Sequence, residues 1–242
     1  MTDRAQFLKG ISAHLGRPTP TTVKAPEATA LSMTREQAAE RAAEVRGLVE
    51  SHRDSLFAEA AEAARKAAWV VHCASNLEDL GEVVAGIARD AGAKSALRST
   101  HEVLENSPID KTLHASGVSI RSMHSSDDES RAQMRSEVFQ ANLGITGVDW
   151  FIAETGTVVL RPRQGVSRLV SLAPPRHIAV LQKGAVLPSL DELFALERAD
   201  QLDGVSTASM NLISGPSRTG DIEATIVTGI HGPFEVHLVM LG

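Results

Sequence analysis

Apolar residues recur along this chain with two different periods, and the places where the period changes mark out its elements. Phe7, Leu8, Ile11 and Leu15 fall at three- and four-residue intervals, which predicts a short amphipathic helix over residues 3–15. Gly16-Arg17-Pro18 stops it, and Pro18, Pro20 and Pro26 among Thr and Ala make residues 16–32 a linker. Thr34 and Gln37 form a capping box. The helix it opens carries the stripe Val45, Leu48, Val49, His52 and Leu56 and runs to about Lys66, with a possible break near Ser51–Asp54. On that stripe His52 reads as a packed histidine, since no second ligand lies four residues on.

Trp69-Val70-Val71-His72-Cys73 predicts a buried strand, with Cys73 as a small buried hydrophobe. Asn76 caps a helix striped by Leu77, Leu80, Val83, Val84, Ile87 and Ala91, and Gly92 closes it. Lys94–Arg98 and Val118–Ile120 predict strands, His101–Leu104 a short helix and Asp128–Phe139 a longer one. This strand–helix–strand spacing suits parallel βαβ units, so the expected architecture is a doubly wound α/β sheet. At residue 143 the pattern changes to short β-rich runs, Leu143–Gly147, Trp150–Ala153 and Thr157–Leu160, the last two joined as a hairpin at Thr155-Gly156. The loop from Arg161 to Arg168 holds three arginines, either as a solvated loop or as a clamp for an anion. His177–Leu181 predicts a strand, Leu190–Leu196 a helix, Met210–Ile213 a buried strand and Phe234–Leu241 a final strand.

The densest chemistry follows Ile213. Ser214-Gly215-Pro216-Ser217-Arg218-Thr219-Gly220-Asp221-Ile222-Glu223 collects hydroxyls, small residues, an arginine and two acids, and Gly229-Ile230-His231-Gly232-Pro233 follows closely. Free N–H groups near Ser217, Arg218 and Thr219 could form an anion-binding nest, with Arg218 as a planar fork. A helix starting near Thr219 or Asp221 would aim its dipole at the same spot; equally, these residues could be no more than a loop and an N-cap. If the preceding strand belongs to the parallel sheet, the motif lies at its C-terminal edge, where ligands bind in open α/β sheets. Glu154, at a Gly-containing turn, and His231, on a tight turn, are candidate acid–base groups. Asp221, Glu223 and His231 match no metal-ligand spacing.

These stretches, with Thr228–Pro233 and the earlier Gly144-Ile145-Thr146-Gly147-Val148-Asp149 and Ala153-Glu154-Thr155-Gly156-Thr157, resemble the signatures of the LUD-domain family, the lactate-utilisation protein C family. The resemblance spans roughly residues 35–242; Gly220 stands where the family often has Ala. It implies a Rossmann-like three-layer α/β fold akin to sugar-phosphate isomerases and CoA transferases, as one domain over 33–242 preceded by an N-terminal helix and linker over 1–32. It also implies a ligand site drawn from Gly156, Thr157, Ser214, Gly215, Ser217, Arg218, Thr219, Asp221, Glu223, Gly229 and Gly232, with Glu154 and His231 as catalytic candidates. Its implied role is a non-redox partner of iron–sulfur proteins that oxidise L-lactate to pyruvate. The alternative is a stand-alone isomerase- or transferase-like enzyme for a carboxylate or phosphate.

Composition narrows these readings. The chain has 242 residues, 43% hydrophobic and 22% charged, ordinary values for a globular protein. Aromatics are 3% with no Tyr, and the net charge is −6, which together disfavour a nucleic-acid partner. Cys73 is the only cysteine, so the chain cannot hold a four-thiolate cluster; iron–sulfur clusters are expected only in partner proteins, and no intrinsic cofactor or metal is expected. No apolar run approaches a bilayer span and Met1–Gln6 starts no signal peptide, so the expected location is the cytoplasm. The first helix packs either on its own body or on a partner subunit.

Overall fold

The computed structural model describes residues 4–14, 32–123, 131–163, 166–205, 207, 209–220 and 226–242, with backbone alone at 4, 5, 8 and 131–135. The chain divides into two compact units, Met1–Met33 and Thr34–Gly242. In the first, helix α1 (Arg4–His14) leaves Phe7 60% and Ile11 42% exposed.

The second unit opens with α2 (Arg35–Ser51) and α3 (Arg53–Lys66). The capping box at Thr34 forms as expected: its hydroxyl accepts from the Gln37 N–H at 3.3 Å and the Gln37 side chain accepts from the Thr34 N–H at 3.0 Å. The helix breaks at His52, which caps α2 and begins α3. His52 is exposed rather than packed, because its ring turns back to the Leu48 carbonyl at 3.1 Å.

Next come β1 (Val70–Ala74), α4 (Leu77–Asp90), β2 (Ser95–Arg98), α5 (Glu102–Glu105), α6 (Ile109–Ala115), β3 (Ser119–Ser122), α7 (Arg131–Gln140) and β4 (Leu143–Gly147). The expected helix start at Asp128 falls outside the described residues. After β5 (Trp150–Ile152), β6 (Thr157–Leu160) and α8 (Leu169–Leu172) come β7 (Arg176–Gln182), β8 (Val186–Leu187) and α9 (Leu190–Leu202). The chain ends with β9 (Asn211–Ile213), β10 (Arg218–Gly220), β11 (Ile226–Thr228) and β12 (Glu235–Leu241).

Six strands pair in the order β1-β12-β7-β4-β2-β3, every neighbour parallel. Alternation along β2 shows why this sheet needs cover on both faces. Ala96 packs into a core with Leu80, Val84, Leu104 and Leu113 from α4, α5 and α6, whereas Leu97 packs with Val138 of α7 and Val170 of α8. Burying a side chain such as Leu80 or Leu113 stabilises the fold by about 1.5–3 kcal/mol. The result is the three-layer α/β fold that the pattern predicts.

Two expectations are corrected. β1 is an edge strand, so Cys73 is exposed and Val70 is 45% exposed, although both lie in the predicted strand. The runs after residue 143 do not all join the parallel sheet. β4 does, but β8-β5-β6-β9 form a separate mixed sheet in which β9 is a partly exposed edge, so Met210–Ile213 is not a buried strand of the main sheet. The predicted hairpin stands, with β5 and β6 antiparallel and the Gly156 N–H donating to the Ile152 carbonyl at 2.9 Å. Among the described residues no helix is long and apolar enough to cross a membrane.

Candidate functional site

The two motif stretches meet at the C-terminal end of α3. Pairing of β6 with β9 sets Val158 opposite Ile213, and the flanking hydroxyls then bond: Thr157 to Ser214 at 2.7 Å, and Thr155 to Thr157 at 2.6 Å. Both stretches approach the helix backbone where only glycine fits. Gly156 has φ +66 and a Cβ there would lie 2.5 Å from the Ala63 carbonyl oxygen. Gly215 has φ +104 and its Cβ would lie 2.1 Å from the Ala67 carbonyl oxygen. Trp69 locks the junction by donating its indole N–H to the Gly156 carbonyl at 3.0 Å.

Glu154 stands beside this junction, in a cleft that Ala63, Ala67 and Thr155 also line. Its N–H donates to the Pro188 carbonyl at 2.9 Å, and its exposed side chain lines this open cleft of about 600 Å³ together with Glu59, Glu62 and Lys66. None of Ser217, Arg218 and His231 lines that cleft.

Ser217 organises a second cluster. Its N–H donates to the Pro233 carbonyl at 2.9 Å, its carbonyl accepts from the Gly229 N–H at 3.0 Å, and its hydroxyl accepts from the His231 N–H at 3.3 Å. Gly232 packs over the Ser217 side chain, so Ser217, Gly229, His231 and Gly232 do come together. No helix starts at Thr219. Arg218–Gly220 instead pair antiparallel with Ile226–Thr228. The Ser217 N–H of the expected nest is thus already used and Arg218 is exposed at the start of β10, while a helix start at Asp221 falls outside the described residues. Asp221 and Glu223 lie outside the described residues.

The arginine loop is pinned internally. Arg161 pairs with Glu197 at 3.1 Å and Asp200 at 2.6 Å, and Arg163 pairs with Asp149 at 2.8 Å. Burial raises the Glu197 pKa, and the Arg161 guanidinium opposes that rise.

Sequence reasoning missed one further cluster. Strand connections run outward from β2 to β3 but return to β4 and continue the other way through β7 to β12, so the direction reverses between β2 and β4. At the C-terminal ends of those two strands sit Ser99, His101, Gly147 and Asp149. The His101 ring lies where a Gly147 side chain would be, 2.2 Å from the position of its Cβ. Burial lowers the His101 pKa; Asp149 opposes this and Arg163 adds to it. The Ser99 hydroxyl is buried without a partner among the described residues. Gly147 and Asp149 stand within the stretch that carried the family resemblance, which was the available signal; His101 has no local motif. Among the described residues no three His, Cys, Asp or Glu side chains converge as a metal ion would require.

A family model described as the LUD domain matches residues 57–241. The chain belongs to the LUD domain family. Lactate utilization protein C of Bacillus subtilis (strain 168) is 38% identical over 103 residues, covering 42% of this chain and 43% of that protein. Lactate utilization protein C 1 of Bacillus mycoides (strain KBAB4) is 31% identical over 166 residues, covering 68% of this chain and 70% of that one. The match thus spans less than half the length of the Bacillus subtilis relative. In fold, this LUD protein resembles a crystal structure of a DUF162 family protein from Deinococcus radiodurans, at a TM-score of 0.51 and 18% identity over 78% of this chain and 98% of that one.

Proposed function

We propose that this LUD protein is a non-redox subunit of a lactate-utilisation system, working with iron–sulfur proteins that oxidise L-lactate to pyruvate. The relatives' names supply the system. The observation that carries the subunit role is the form of the C-terminal motif. Its strand Arg218–Gly220 pairs with Ile226–Thr228, and Leu212, Ile226, Val227, Ile230 and Phe234, in and beside these stretches, are 40–69% exposed. Exposed apolar side chains of this kind suit a protein partner better than a small solute. One cysteine cannot hold a four-thiolate cluster, which agrees with clusters carried by partner proteins. The rival reading, an enzyme for an anionic ligand at Glu154, is disfavoured because three carboxylates and one ammonium line that cleft.

The test is growth on L-lactate by a strain lacking this gene, together with recovery of iron–sulfur proteins on the tagged chain. The deletion should abolish growth on lactate alone. Ile230→Asp and Arg218→Ala should lower partner recovery about tenfold, the effect of losing about 1.4 kcal/mol at an interface, with little change in melting temperature. Normal growth of the deletion strain on lactate, or full partner recovery by both variants, would refute the proposal.

A further inference from the structure

At the end of the parallel sheet opposite the switch point, the first residues of β1, β12 and β7 bound a cavity of about 270 Å³. Its polar lining is His72, Asp90, Arg176, Glu235 and His237, and Val70 and Ile87 supply apolar wall. The groups are ordered by one another. Arg176 Nε donates to Glu235 Oε2 at 2.5 Å. His72 Nε2 and His237 Nδ1 lie 3.1 Å apart and share one hydrogen. His237 is 6% exposed, and its Nε2 has no hydrogen-bond partner among the described residues, with the Glu235 carboxylate 3.5 Å away.

These distances select a tautomer. If His72 Nε2 carries the shared hydrogen, His237 Nε2–H faces the Glu235 carboxylate, an attractive arrangement. The reverse would aim a lone pair at that carboxylate. His72 Nδ1 is then a bare acceptor. Burial holds both imidazoles neutral near pH 7, with the His237 pKa lowered to about 4 and that of His72 lowered as well. His177, next along β7, is buried and neutral too. The charged groups are then Arg176, Glu235 and Asp90. Arg176 and Glu235 are paired, with the Arg176 guanidinium also over the Phe234 ring at 4.8 Å, and Asp90 has no hydrogen bond or ion pair among the described residues. The cavity therefore carries one net negative charge and an excess of acceptors.

We propose that this cavity is a ligand site, which takes a small primary ammonium compound whose N–H groups donate to Asp90 and His72 Nδ1 and whose alkyl part lies on Val70 and Ile87. Carboxylates and phosphates are disfavoured by the net charge. A metal ion is disfavoured because the two imidazoles already bond to each other and no third ligand converges among the described residues.

Long-range proton–nitrogen spectra of the histidine rings in the full chain test this at neutral pH, with n-propylammonium chloride, 1-propanol and sodium acetate as probes. Propylammonium should move the His72 and His237 signals saturably, and the other two probes should not. Asp90→Asn, a change at an exposed position, should weaken propylammonium binding about fivefold without altering the melting temperature. Unmoved signals, equal binding by Asp90→Asn, or saturation by acetate or 1-propanol would overturn the proposal.

Discussion

Acid should destabilise this protein through a histidine that no catalytic argument requires. His177 is fully buried in β7, shares a 2.8 Å hydrogen bond between its Nε2 and the Thr146 hydroxyl, and leaves Nδ1 without a partner among the described residues. The Trp69 ring stands edge-on with centroids 6.1 Å apart. Burial, and secondarily His237, pushes the His177 pKa from 6.5 down to about 3. Between those values the unfolded chain binds a proton that the folded chain refuses. Stability is therefore level above 6.5 and falls as pH drops from there towards 3. Each pH unit inside the window is worth about 1.4 kcal/mol, and a shift from pH ~7 to pH ~5 should remove about 2 kcal/mol through this residue alone. His237, with its pKa lowered to about 4, acts in the same direction. Urea unfolding of wild type and His177→Gln at both pH values isolates the effect, because the amide can still bond to Thr146 but does not titrate. The variant should lose about 2 kcal/mol less than wild type on acidification. An equal loss in both proteins would mean that His177 takes up its proton in the folded state, and the reasoning from burial would fail.

Gly215→Ala should destabilise by about 2 kcal/mol or more in thermal or urea unfolding, since φ is +104 and the new Cβ would collide with the Ala67 carbonyl oxygen. Gly220→Ala, with nothing within 4 Å of its Cβ position, is the matched control and should change stability by less than about 1 kcal/mol; similar losses at both sites would sink the close-approach argument. Cys73, exposed on the edge strand, should react fully with a thiol reagent in the absence of denaturant, and protection until unfolding would contradict the edge position of β1.

What the sequence determined by itself was the local layer. Capping at Thr34 and Asn76 and the apolar stripe of α4 rest on contacts within a few residues, and they are realised as the pattern predicts. The βαβ spacing was likewise enough for a parallel α/β sheet, because a helix between two buried strands leaves few other solutions. The order β1-β12-β7-β4-β2-β3 was decided only by the tertiary fold. Strand pairing joins residues such as Val70 and His237, far apart in the chain, and no local period encodes that choice. The exposure of Cys73 and the placement of β9 in a second sheet follow from this order, since a strand's burial depends on what lies beside it. The site divides in the same way. The glycines of both motifs were legible as residue types, but their purpose, to pass the end of α3, appears only when Ala63 and Ala67 stand against them. His101, His177 and His237 have no motif at all. Their chemistry is set by burial and by neighbours brought from other strands, and the physical quantity that tunes them, lost hydration, is a property of the folded packing alone.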